Sequence, residues 1–420
     1  MFWKTLSKLK PIGAPILENY LRSKDRVKLA WMKAKGEGTV KALLNPEHIV
    51  SSKIVIFVAY PPATLASMHT RLLSRFEDAG YSILFVSNHP DPDYVFSSCM
   101  DQRWTFMFRR PFGRDFGGFR DATLYLHDLT LETGRRFKKV VYLNDSVATI
   151  DRYESAIVSH LDKEDEEFSG ITENYDKGLH VGSFVMSVGE RAFYHKKLIK
   201  YWKKFKNLST RRYAIGKGEL GFSKTMRRAG FVPDVLWTLA RMKPALLRKS
   251  TSELLRISEA MEPHFQRRTE SPIDVIQNRV SKFHDGKLSH FPDSTVNKKL
   301  PGSIGHNSTS RDGEDDLNTW QSRRAVEFAR EDLVNHILRY IFRGSQIHHG
   351  AAPLLFIGAG LIKKDVVLRK IVEPFDIEIL LQRTGASTEE SIEISRDILA
   401  KSHPYALRGW TKVLNDWDFI

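Results

Sequence analysis

The chain has a single cysteine, Cys99, which cannot close an internal disulfide, so the fold must hold without one. Such sparing use of cysteine points to a reducing compartment, the cytoplasm. Cysteine and histidine nowhere fall at the spacing of a zinc site. Long apolar runs are missing too: none approaches the roughly 18–20 residues that span a bilayer. The start, MFWKTLSKLKPIGAP, has only a short apolar part and no small-residue cleavage site, which excludes a secretory signal. It interleaves Phe2, Trp3, Leu6 and Leu9 with Lys4, Lys8 and Lys10. That pattern suits either an interfacial anchor or a helix packed on its own domain.

An ordinary globular balance is present, 41% hydrophobic and 27% charged residues over 420 positions, enough for one large domain with extensions or for two domains. The 65 Lys and Arg against 50 Asp and Glu leave +15 at neutral pH. That excess must face nucleic acid, anionic lipid or a phosphorylated substrate.

Periodicity divides the chain. Residues 15–48 read as basic and helical, ending in a Gly-rich break. The run from Lys53 to Tyr60 is continuous and β-branched, as in a strand buried on both faces. Leu65, Met68, Leu72 and Phe76 then fall at helical spacing up to Gly80, and 82–87 is a second buried-type strand. Strands at 105–108 and 139–143 alternate with helices at 117–134 and 152–162, and two further strands are expected at 168–172 and 182–187. Such alternation predicts an α/β fold with a mostly parallel, Rossmann-like sheet flanked by helices. Ligands of open sheets of this kind sit at the carboxyl ends of the strands, here after residues 60, 87, 108 and 143. The expected organisation is a basic helical arm (1–50), a nucleotide-sugar-binding and catalytic domain (51–250), a linker or partly ordered insertion (251–317) and a helical C-terminal region (318–420). Within 192–213, Leu198, Trp202 and Phe205 share a helical face. The segment is either a packed amphipathic helix with a solvated basic side or a surface for anionic lipid.

Two segments carry chemistry. The first, 109–121, places Gly113, Gly117 and Gly118 between a strand and a helix with Arg109, Arg110, Arg114 and Arg120 around them. Glycine lets a ligand approach the backbone, and guanidinium groups suit phosphate oxygens. Asp115 and Asp121 could accept hydrogen bonds from ribose or sugar hydroxyls. The spacing of this loop is neither a dinucleotide fingerprint nor a P-loop, and a tight structural turn is the competing reading. The second is Asn144-Asp145-Ser146, closing a hydrophobic strand. Alternation puts Asn144 and Ser146 on one side and Asp145 on the other. Asp145 is the candidate ligand for a divalent ion, and a polar turn is its plain alternative.

With these residues in view, GRDFGGFRDATLYL, VVYLNDS, GITENYDKGLHVGSFVM and GKGELGFSKTMRRAGF occur in one order. Together they resemble the rhamnan-synthesis F family of bacterial polysaccharide glycosyltransferases, whose segments read GYDFG…KD, LLNDS, HLQSYF and YE-GLS. The resemblance covers roughly residues 54–235 and recurs faintly around Lys363, which is similar to that family's late PFIK segment. It implies a GT-A-like transferase moving rhamnose or another deoxyhexose from a nucleotide-diphospho-sugar to a growing cell-surface polysaccharide or lipopolysaccharide. It implies inverting chemistry at the inner face of the plasma membrane, with a polysaccharide or lipid-linked glycan as acceptor.

The donor site would comprise Arg109, Gly113, Arg114, Asp115, Gly117, Arg120, Asp121, Asn144, Asp145 and Ser146. Glu219 is the expected general base, with Asp115 or Asp145 as the other candidates, and a helix-starting glutamate favoured by the macrodipole is the alternative for Glu219. His180, Ser183, Arg211, Arg212 and Lys363 are assigned to acceptor or diphosphate, although Ser183 shares a strand face with Val181 and Val185. The superfamily's DxD metal motif is replaced by Asn144-Asp145-Ser146, which leaves dependence on Mg or Mn open. A non-catalytic component of the polysaccharide machinery is the alternative function. Nucleic acid is not expected as a partner, since the charge is accounted for by phosphates and lipid.

Overall fold

The computed structural model describes residues 9–60, 66–89, 103–175, 177–261, 312–342, 344–400, 407–417 and 419, with the side chains of the 312–342 segment described from residue 326. The N-terminal residues up to Lys8, Cys99 and most of the expected insertion lie outside these.

Among the described residues nine strands form one sheet, in the order β1-β4-β3-β2-β5-β9-β7-β10 with β8 paired to β7. Its centre is β2 (Lys53–Ala59), hydrogen-bonded in parallel to β3 (Ser82–Ser87) on one side and β5 (Lys139–Asn144) on the other. β4 (Thr105–Arg109) continues the parallel half beside β3. β9 (Val185–Gly189) lies antiparallel between β5 and β7 (Phe168–Asn174), and β10 (Asp234–Trp237) pairs in parallel with β7. The fold is α/β, with a mostly parallel mixed sheet flanked by helices.

Residue alternation sorts the core into two layers. Val55, Phe57 and Ala59 of β2 join a cluster with the helices Ser67–Asp78 and Asp151–Leu161. Ile54, Ile56 and Val58 face the opposite cluster, built with Phe116, Phe119, Ala122 and Leu126 of the helix Arg114–Thr133. Leu198, Trp202 and Phe205 are buried in this second layer, so the basic stretch is a packed amphipathic helix (Lys196–Lys204). Its apolar face is committed to the core.

Three sequence expectations change. The helix ends at Ala34, and β1 (Val40–Leu44) pairs antiparallel with β4. Without it the backbone groups along that side of β4 would form an unpaired edge. The strand expected at 182–187 is interrupted: β8 (His180–Val181) stops, the chain turns, and β9 resumes at Val185. Residues 251–259 are no linker but a helix, whose Ser250 and Glu253 form a reciprocal capping box.

The C-terminal region is integral to the core. In the helix Asp312–Phe342, Leu333, Val334, Ile337 and Ile341 recur at helical spacing and are buried in the first layer. Farther on, β11 (Leu361–Lys363) pairs antiparallel with β6 (Val147–Thr149) just beyond the end of β5. Gly360 makes this approach feasible: its φ is +64°, and a Cβ there would lie 2.2 Å from that of Tyr153. No helix among the described residues is long and apolar enough to cross a membrane. Leu333→Ala should destabilise the whole domain by about 2–5 kcal/mol in urea unfolding. A loss below about 1 kcal/mol would mean that the helix is not part of the cooperative core.

Candidate functional site

The loop after β4 is built around a buried guanidinium. Arg109 is 0% exposed and donates to Asp121 Oδ2 at 3.0 Å, Asn88 Oδ1 at 2.7 Å and the Phe112 carbonyl at 2.7 Å. Asp121 also accepts from Arg120 Nη1 at 2.7 Å, Thr39 Oγ1 at 2.7 Å and Asn207 Nδ2 at 3.2 Å. Arg120 Nε donates to the Trp202 carbonyl. A buried charge must be met by partners, and here protein groups meet it. The glycines serve the same purpose. A Cβ on Gly113 would lie 2.8 Å from Gly117 Cα, and one on Gly117 would lie 2.2 Å from the Phe112 carbonyl oxygen. Arg109, Arg120, Asp121, Gly113 and Gly117, expected at the donor, are engaged in folding the loop upon itself, Arg109 completely and Arg120 with a quarter of its side chain accessible.

Arg114 has φ +52°, rare for a residue with a side chain. It is tied to the carbonyls of Ser209 at 2.8 Å and Phe419 at 2.9 Å. Burial lowers its pKa, while Tyr60 and Asp115 oppose the shift and Arg211 adds to it.

What this scaffold presents is Asp115, in the first turn of the helix. Asn144 Nδ2 donates to Asp115 Oδ2 at 2.7 Å. Asn144 Oδ1 in turn accepts from the Ser146 N–H at 3.1 Å and from the Ser146 hydroxyl. Lys363 Nζ completes the chain, donating to Ser146 Oγ at 2.6 Å. One polar relay therefore joins Asp115, Asn144, Ser146 and Lys363 across the carboxyl end of β5. Asp145 turns the other way, as alternation requires, and its Oδ2 accepts the Tyr60 N–H at 3.1 Å. No group of three His, Cys, Asp or Glu residues placed to hold a metal occurs among the described residues.

Glu219 closes the site. It ends a π-helical turn, Ala214–Glu219, that runs without a break into the helix Leu220–Ala229. Glu219 is thus inside a continuous helical path, and the macrodipole does not explain it. The wide turn shifts hydrogen-bond register, and Tyr201 Oη donates to the carbonyls of Lys217 and Gly218. Gly218 packs so tightly on Phe116 that a Cβ would lie 2.6 Å from the ring. Insertions of this kind re-aim side chains. The Glu219 carboxylate lies 3.5 Å from His180 Nε2, with its side chain 30% accessible. Burial pushes its pKa up, but the hydrogen bond and charge of His180, the charge of Lys363 and a hydrogen bond from Ser183 outweigh this and bring it below 4.5.

Ser183 reaches the carboxylate because it sits in the turn between β8 and β9, not on a strand face with Val181 and Val185. His180 Nδ1 is 2.7 Å from the Gly178 carbonyl, an acceptor, so that nitrogen carries a proton. Asn174 Nδ2 stands 3.4 Å from His180 Nε2.

The structure therefore brings together Asp115, Asn144, Ser146, His180, Ser183, Glu219 and Lys363, with Arg211 near enough to act electrostatically on Arg114 and Asp365. Arg212 lies instead over the Phe419 ring, 5.7 Å from its centroid. Two participants were missed in the sequence. The Tyr60 hydroxyl is buried without a hydrogen-bond partner among the described residues. Burial first, then Asp115, pushes its pKa far up, so it stays a proton donor. Its place at the end of β2 was the available signal. Asp365, two residues past Lys363, pairs with His348 Nε2 at 2.9 Å. Burial raises its pKa, but His348, Lys363 and Arg211 hold it well below the carboxylate range. No spacing rule links residues 348 and 365.

Comparisons with known proteins leave the family open. No family model matches the chain. It is similar to a protein of Sinorhizobium fredii (strain NBRC 101917 / NGR234) named "Uncharacterized protein y4gN", at 24% identity over 186 residues. The match covers 43% of this chain and spans about half, 48%, of that relative.

Two outcomes test the site's architecture. Asp121→Ala strands the Arg109 charge and should cost about 3–5 kcal/mol in denaturant unfolding; a loss within error would show that water or another group takes over. A depressed Glu219 contributes stability that is present above its unfolded pKa and lost as pH falls through the lower folded value. Carboxyl NMR titration should therefore place Glu219 below 4.5, and Lys363→Met should move it upward. An unmoved titration would remove Lys363 from the site.

Proposed function

We propose that this chain is a glycosyltransferase with a GT-A-like domain, moving a sugar from a nucleotide-diphosphate donor to a cell-surface glycan. The observation that carries the reading is the meeting of Asn144 and Ser146 with Glu219, His180, Ser183 and Lys363, segments that lie far apart in the chain, at the carboxyl end of the sheet. Those segments are also the ones that resemble the rhamnan-synthesis F family, which supports rhamnose or another deoxyhexose as the sugar.

In this reading Glu219 removes the proton of the acceptor hydroxyl as its oxygen bonds to the anomeric carbon. The bond from that carbon to the diphosphate breaks, and the diphosphate leaves with the electron pair. Lys363 and Arg211 offset the charge that develops on it. His180 and Ser183 orient the carboxylate, and the Tyr60 hydroxyl is a donor available to a ligand oxygen. If a divalent ion serves the reaction, Asp145 would hold it, its carboxylate oriented by the Tyr60 N–H. Acceptance by a polysaccharide or lipid-linked glycan follows from the family resemblance.

Purified protein incubated with candidate nucleotide-sugars should show a saturable thermal shift and slow donor hydrolysis. Glu219→Gln should lower transfer by about 10²–10⁴-fold while keeping the donor-induced shift; a variant that keeps most of its rate sinks the assignment. The acid limb of kcat/KM should lie below pH 4.5, following the depressed carboxylate. A limb above pH 6 would point to another base.

A further inference from the structure

The N-terminal helix, Lys10–Ala34, has two unlike faces. Its inner face is fully committed. Ala14 packs with Val413, Trp417 and Phe419, and Leu29 against the second core layer. Both acidic residues of the helix also turn inward: Asp25 accepts the Ser209 N–H at 2.7 Å, and Glu18 accepts from Thr210 Oγ1 at 2.5 Å and pairs with Arg22 at 2.6 Å.

The outer face is apolar. Ile12, Ile16, Tyr20, Val27 and Trp31 are each between 58% and 69% exposed. At about 100° per residue these five fall within one stripe about 100° wide, which also holds the exposed Ser23, and the Lys35 ammonium stands 3.7 Å from the centroid of the Trp31 ring at its end. The exposed cations Lys24 and Lys28 lie along one edge of it, and Arg26 and Lys33 along the other. Because Glu18 and Asp25 are used up inside, the outer face carries charge of one sign only.

We infer that this face is a membrane-surface docking site, with the helix lying in the plane of an anionic bilayer. An apolar stripe between two rows of cations fits acyl chains at the centre and lipid phosphates at the rim, with the long side chains reaching outward to the headgroups. A second copy of the chain is a worse fit, since it would bring the same cationic rims against each other. Nucleic acid would use the cations and leave the stripe in water. The inference does not depend on the transferase reading, since it rests on a helix face outside the sheet crevice.

The test is flotation of the full chain with vesicles of phosphatidylcholine alone and with about one-third phosphatidylglycerol. Binding is expected on the anionic vesicles, reduced at least about tenfold on the neutral ones and by 0.5 M salt. Ile16→Ser/Val27→Ser and, separately, Lys24→Glu/Lys28→Glu should each lose about tenfold or more. Unchanged circular dichroism and an unchanged thermal unfolding midpoint would show that the fold is intact. Equal binding by the variants, or no binding to either vesicle, overturns the inference. So does a solution dimer, by light scattering, that Ile16→Ser/Val27→Ser converts to monomer, because the face would then seat a second copy.

Discussion

The candidate site depends on the pairing of β11 with β6. That short antiparallel contact sets Lys363 opposite Val147 and brings its ammonium onto Ser146. From there one positive charge serves three groups: it ends the relay from Asp115 and adds to His180 in favouring the ionised form of Glu219 and to His348 in favouring that of Asp365. A cation shared among carboxylates in a partly enclosed crevice is worth more than one in water, because the local dielectric is lower.

A second constraint keeps this crevice in shape. The Arg109–Asp121 pair and its neighbours make the loop after β4 rigid, and tight contacts at Gly113 and Gly117 leave it a single path. Rigidity there positions Asp115 against Asn144. The π-helical turn does the same for Glu219 from the other side, with Gly218 pressed on Phe116 of the same loop helix. Two structural devices thus meet at one aromatic side chain.

The fold was legible where burial repeats simply. β2, β3, β4 and β5 are continuous apolar runs, and the helices between them show a clear stripe. The lapses share a cause. β1 is a short edge strand whose pattern is weak, and β8 and β9 read as one run because a turn of three residues does not disturb an apolar average. Within the site, Glu219, His180, Ser183 and Lys363 were legible as candidates. The structural use of Arg109 was not legible, because a guanidinium that binds phosphate and one that folds a loop look alike in one dimension.

By itself the sequence determined the α/β class, the strand ends at which polar residues collect, and the candidates for a crevice. These are local properties, set by periodicity and composition. Tertiary structure alone decided which charges remain available to a ligand. Arg109 and Asp121 cancel each other in the interior, Glu18 and Asp25 turn inward and leave an outer helix face cationic, and Lys363 arrives at Ser146 from 217 residues away. The physical reason is that the chemistry of a charge follows from its neighbours and its burial, and long-range packing supplies both.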